Sequence, residues 1–118
     1  MSVTDLPTRT PDFHIGEGQT YPALAATLKE DGVAKDLTAS TVTFSMKNVY
    51  GATVIDSASA TLIVAADGTV KYTFLAADTA DPGLYYGHFE VDFGGGSTAI
   101  WPSSKDHYIV IEIIDMIE

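Results

Sequence analysis

Ala58-Ser59-Ala60-Thr61-Leu62-Ile63-Val64-Ala65-Ala66-Asp67-Gly68-Thr69-Val70-Lys71-Tyr72-Thr73-Phe74 is the stretch whose reading decides the fold. Before the Asp-Gly pair, Ala58, Ala60, Leu62 and Val64 alternate with Ser59, Thr61 and Ile63. After it, Val70, Tyr72 and Phe74 alternate with Thr69, Lys71 and Thr73. Side chains on a strand point to opposite faces in turn, so a period of two marks a half-buried strand. Two such runs joined through Asp-Gly, which tolerates positive φ, are a strong short-range hairpin signal.

The same pattern extends outward. In residues 41–47, Val42, Phe44 and Met46 share one face, and Thr41, Thr43, Ser45 and Lys47 the other. In residues 84–93, Tyr85, Gly87, Phe89, Val91 and Phe93 share the inner face, leaving Tyr86, His88, Glu90 and Asp92 on the wetter one. Residues 21–29 and 108–114 are further strands, the last with Ile109, Ile111 and Ile113 facing inward. Turns are expected at Glu30-Asp31-Gly32, at residues 48–51 and at Gly94-Gly95-Gly96. Residues 75–81 can form one helical turn, stopped by Pro82-Gly83, and Trp101-Pro102 opens a loop or irregular edge. About seven strands at this spacing predict an all-β, immunoglobulin-like antiparallel β-sandwich. Pro7, Pro11, Gly16 and Gly18 make residues 1–20 an extended N-terminal arm, with a short strand near residues 12–16, and residues 21–118 the sandwich.

The chain has 118 residues, enough for one domain that folds without a staple. It has no cysteine, which excludes a disulfide scaffold, a zinc ribbon and a thiol enzyme. Sixteen acidic against six basic residues give a formal net charge of -10. Phosphate backbones and anionic membrane surfaces both require clustered Lys and Arg, so neither nucleic acid nor membrane is an expected partner. The acidity itself reads as a solubility feature. No stretch is long and apolar enough to span a bilayer, and the N-terminus lacks the basic-then-apolar pattern of a secretory signal. Synthesis in a cytoplasm is the expectation.

Catalytic chemistry finds little support. His88, Glu90 and Asp92 line up on one strand face, but alternate residues lie ~6–7 Å apart, too far for one ion without help from neighbouring strands. Ser103-Ser104-Lys105-Asp106-His107 has nucleophile, acid and base letters yet reads as a polar loop, because triads are assembled from distant segments. Asp67-Gly68-Thr69 lacks the further acidic positions of a calcium loop, and the glycine triplet lacks the lysine and helix of a phosphate loop. No catalytic, cofactor or metal site is assigned. Tyr85, Tyr86, Trp101 and Tyr108 could stack on sugar rings, which makes a carbohydrate-binding surface module, with Trp101 as its stacking residue, the alternative from another class.

Two features point instead to assembly. One is the arm, with apolar Leu6, Phe13 and Ile15. The other is the C-terminal run, apolar on both faces except at Glu112, where a strand with one wet face should alternate more strictly. Val110, Ile114 and Met116 are therefore expected to pack against the arm or another chain, the arm itself packing on its own domain or on a neighbour. These residues, with Ile117 and the arm's apolar side chains, are the candidate assembly contacts.

Several segments in order also resemble a known family. They are residues 36–47 (Asp36 to Lys47), Val54-Ile55-Asp56, and Asp67 through Phe74. They continue with Ala77-Asp78-Thr79-Ala80-Asp81-Pro82-Gly83-Leu84-Tyr85, then Gly87-His88-Phe89-Glu90-Val91, Trp101-Pro102 and Tyr108-Ile109-Val110-Ile111. Together they are similar to the immunoglobulin-like module at the N-terminus of phage baseplate upper proteins and in other small phage structural proteins. The resemblance implies a non-enzymatic virion component, of the tail or baseplate first, and of the capsid surface or head–tail joint as the alternative. Its implied partners are other virion proteins and symmetric copies of itself.

Overall fold

The computed structural model describes residues 12–30, 32–101 and 109–115. The described residues form β1 (Phe13–Gly16), β2 (Leu24–Thr27), β3 (Lys29–Glu30), β4 (Val33–Ala34), β5 (Thr41–Asn48), β6 (Thr53–Ser59), β7 (Thr61–Val64), β8 (Thr69–Tyr72), β9 (Gly83–Gly94), β10 (Ser97–Trp101) and β11 (Ile109–Ile114). The larger sheet runs β1-β11-β9-β5-β6, with β10 also on β9. The smaller runs β2-β8-β7, and β3 and β4 form a separate hairpin. The protein is all-β, as the alternation requires.

The core lies between the two sheets. From the larger sheet, Val42, Phe44 and Met46 of β5, Tyr85, Phe89 and Val91 of β9, and Ile111 and Ile113 of β11 are buried. From the smaller come Leu24, Val70 and Tyr72. Phe44, 0% exposed, is the hub. Its ring stacks on Tyr72 at 4.8 Å, meets Phe89 at 5.1 Å and lies perpendicular to Phe74 at 6.1 Å. Beside it lies Gly87 of β9, where an added Cβ would sit 2.8 Å from Phe44 Cζ and 3.0 Å from Ile111 Cδ1. The strand carries glycine here because the ring has taken the space of a side chain.

Several expectations are corrected. The alternating run of residues 58–64 is not one strand. The chain leaves β6 at Ser59 and enters β7, in the other sheet, at Thr61. Alternation continues across the switch because both strands put one face on the same core. The hairpin after it forms, β7 antiparallel to β8, but not on a two-residue turn. A 3-10 turn at Ala65–Asp67 leads to Gly68 at φ 70, and a Cβ there would lie 2.6 Å from Lys35 O. The "loop or irregular edge" at Trp101 is the end of β10, hydrogen-bonded to β9 in register from Thr98↔Asp92 to Trp101↔Phe89. Short elements such as β3, β4 and β10 lift the number of strands above seven. One pairing is not antiparallel: β1 lies parallel to β11, from Phe13↔Ile111 to Gly16↔Ile114.

The turn before β9 is tightly pinned. A 3-10 turn at Ala76–Thr79 is closed by Asp78, whose Oδ2 accepts from the Leu75 N–H (2.8 Å) and the Tyr72 hydroxyl (2.7 Å). Four residues before β9's first buried side chain, the Asp81 carbonyl accepts from the Tyr85 hydroxyl at 2.5 Å. This is the tyrosine-corner arrangement of immunoglobulin-like sandwiches, a tyrosine near a strand start bonding back to the upstream backbone.

Candidate assembly surface

The arm residues closest to the domain are built into it. Asp12 and Val110 exchange hydrogen bonds: the Asp12 N–H donates to the Val110 carbonyl (2.7 Å), and the Val110 N–H to Asp12 Oδ2 (2.9 Å). His14 Nδ1 lies 2.9 Å from Glu112 Oε1 on the outer face. The Glu17 N–H donates to the Ile114 carbonyl, the Gly18 N–H to the Thr79 carbonyl, and the Thr79 hydroxyl to the Gln19 carbonyl. Phe13 stacks on Phe74 at 5.8 Å.

These contacts divide the residues expected to meet a neighbour. Ile15 and Val110 are each 2% exposed and spend their side chains inside their own fold, which corrects their assignment as contacts with a neighbour. The alternative, that the C-terminal strand meets the arm, holds at Val110 through its bonds to Asp12. A parallel strand paired to β11 turns Ile15 into the core, the same way as its partner Ile113. Phe13 is half-buried against Phe74, and Ile114 is 40% exposed. Leu6, Met116 and Ile117 lie outside the described residues. The structure thus brings Phe13, Ile15, Val110 and Ile114 to one edge of the larger sheet, where only Phe13 and Ile114 reach the surface.

The aromatic platform expected for sugar is not assembled among the described residues. Tyr85 is buried with its hydroxyl committed. The half-buried Trp101 donates its indole N–H to the Lys29 carbonyl (2.8 Å) and sits edge-on to Phe93 at 6.4 Å. Lys35 lies over the Phe93 ring at 5.4 Å. Trp101 therefore fastens the β3–β4 hairpin to β10. Tyr108 and His107 lie outside the described residues. Among the described residues the most exposed rings are Tyr21 (82%), which lies ahead of β2 and not in a strand beginning at residue 21, and Tyr50 (74%), in the turn expected at residues 48–51.

His88 and Glu90 stand on the outer face of β9, where the cross-strand partner of His88 is Ser45 and that of Glu90 is Thr43. Partial burial holds the His88 imidazole below its ordinary range, opposed by Glu90 and reinforced by Lys47. No group of three His, Asp or Glu side chains converges on a metal-sized site among the described residues. The feature the sequence reading missed is the bond from the Tyr85 hydroxyl to the Asp81 carbonyl, for which a backbone acceptor leaves no residue-type signal.

No family model, curated protein or solved structure matches the chain.

Proposed function

We propose that the chain is a non-enzymatic structural protein of a tailed bacteriophage virion, a tail or baseplate component that assembles through protein–protein contacts. The observation that carries this reading is the segment from Ala77 to Tyr85, which bears the resemblance to phage immunoglobulin-like modules. That same segment folds as the pinned 3-10 turn and tyrosine corner. The strand order supports the immunoglobulin-like part of the reading. In strand-letter terms β6-β5-β9-β11 corresponds to C′-C-F-G and β2-β8-β7 to B-E-D. Gly87, two residues after Tyr85, then stands where antibody domains carry their second cysteine.

Such a protein is made in the host cytoplasm and carried in the virion, with other virion proteins and its own copies as partners and no cofactor. Immunogold electron microscopy of purified particles tests it. Gold at the tail or its tip is the expected result. Gold over the head replaces the tail assignment with capsid decoration or a head–tail joint. Unlabelled particles, with the protein present in infected cells, overturn the virion reading.

A further inference from the structure

A sheet edge presents unpaired backbone donors and acceptors, and proteins that keep an edge single blunt it with charge, proline or a bulge. Four of the edges here are blunted. β1 carries His14 paired to Glu112. β6 carries Asp56, a positive φ at Ser57 and register shifts against β5. β7 is bulged at Ile63, between Leu62 and Val64, and β10 between Ser97 and Thr98. β2 has none of these. It pairs with β8 through four consecutive residues without a shift, Leu24↔Tyr72 to Thr27↔Thr69, and its other edge has no strand among the described residues. Residues 18–28 hold no charged side chain, in a chain of net charge -10.

We infer that β2 is a self-association edge, pairing antiparallel with β2 of a second copy about a two-fold axis. The faces fit only if the axis passes through a residue, since opposed residues in an antiparallel pair point the same way. With the axis at Ala25, exposed Ala25 faces Ala25 of the copy, and inward Leu24 faces inward Ala26, large against small. The two small sheets become one, β7-β8-β2 continuing into the copy's β2-β8-β7. The occupant is a second copy because the edge is complementary to itself, and because two strongly acidic chains meet with least repulsion at an uncharged strand. This names the self-contact within the assembly reading, but its test uses isolated protein and fails or succeeds independently of where the virion is labelled.

The chain has no cysteine, so one introduced thiol can bond only to its own copy. Directly opposed Cβ atoms lie about 4.5–5.5 Å apart, within a small adjustment of disulfide reach. Under mild oxidation, Ala25→Cys should give a covalent dimer at least tenfold faster than Ile63→Cys on the bulged edge, both variants keeping the native near-UV circular dichroism. Sedimentation of the unsubstituted chain should show a concentration-dependent dimer that Ala25→Lys abolishes. Equal, slow cross-linking of the two variants with monomeric sedimentation overturns the inference. So does a dimer that appears only after residues 1–11 are removed, which would make the chain's own N-terminal segment the occupant.

Discussion

At Gly87 the packing leaves no room for a methyl group. Its position 2.8 Å from Phe44 Cζ means that Gly87→Ala must displace a fully buried ring that touches three other aromatics. Overpacking of this kind costs about 1–3 kcal/mol, read as a lower urea midpoint with unchanged slope. Phe44→Leu in the Gly87→Ala background should restore part of the loss, giving a coupling that a double-mutant cycle measures. Two buried phenols contribute stability that alkaline pH removes. Burial, and then the Asp78 carboxylate, hold the Tyr72 hydroxyl well above its ordinary range, and burial with Asp81 raises Tyr85. A phenol whose folded pKa is raised binds its proton more tightly when folded, so its contribution is complete below about pH 10 and is lost as pH rises beyond it. Tyr72→Phe should cost about 0.5–1.5 kcal/mol at neutral pH and flatten the decline above pH 10 in a series of thermal melts. The inward face of residues 84–93 was legible from alternation alone. That Gly87 was there for a ring, and Tyr85 for a corner, was not, because both depend on partners remote in sequence or on a carbonyl that carries no residue identity.

Among the elements, β1 shows how pairing decides what a residue is for. Ile15 read as a contact because four residues of strand among prolines and glycines look like an arm. Parallel registration on β11 makes it core instead. The anchor of that registration is Asp12, whose carboxylate takes the Val110 N–H. Asp12→Ala should cost about 1–3 kcal/mol by orphaning that donor and should raise hydrogen exchange in β1 and β11 ahead of β5 and β9. Strands β5, β9 and β11 were readable because each puts long apolar side chains on one face. β3, β4 and β10 were not, since two-residue strands have no period and β10 draws its place from β9 and from the bond between Trp101 and Lys29. The division between β6 and β7 was hidden for a related reason: alternation reports burial, not which sheet supplies it.

For the whole molecule, charge sets how copies meet. A chain of net charge -10 repels itself at a distance, and salt screens that repulsion over about 10 Å at 0.1 M. Self-association through uncharged strands should therefore strengthen as ionic strength rises, where a contact built on ion pairs would weaken; sedimentation across a salt series separates the two. Removing residues 1–11 stops short of β1 and should leave the domain folded, with native circular dichroism; under the proposed virion role it should also abolish incorporation into particles. Normal incorporation of the truncated chain would remove the arm from the assembly mechanism. The core at Gly87 is closed by a phenyl ring pressed against a glycine, and the chain holds no cysteine. The fold consequently has no disulfide to make or break, and its covalent framework is the same in a reducing solution as in one that oxidises thiols.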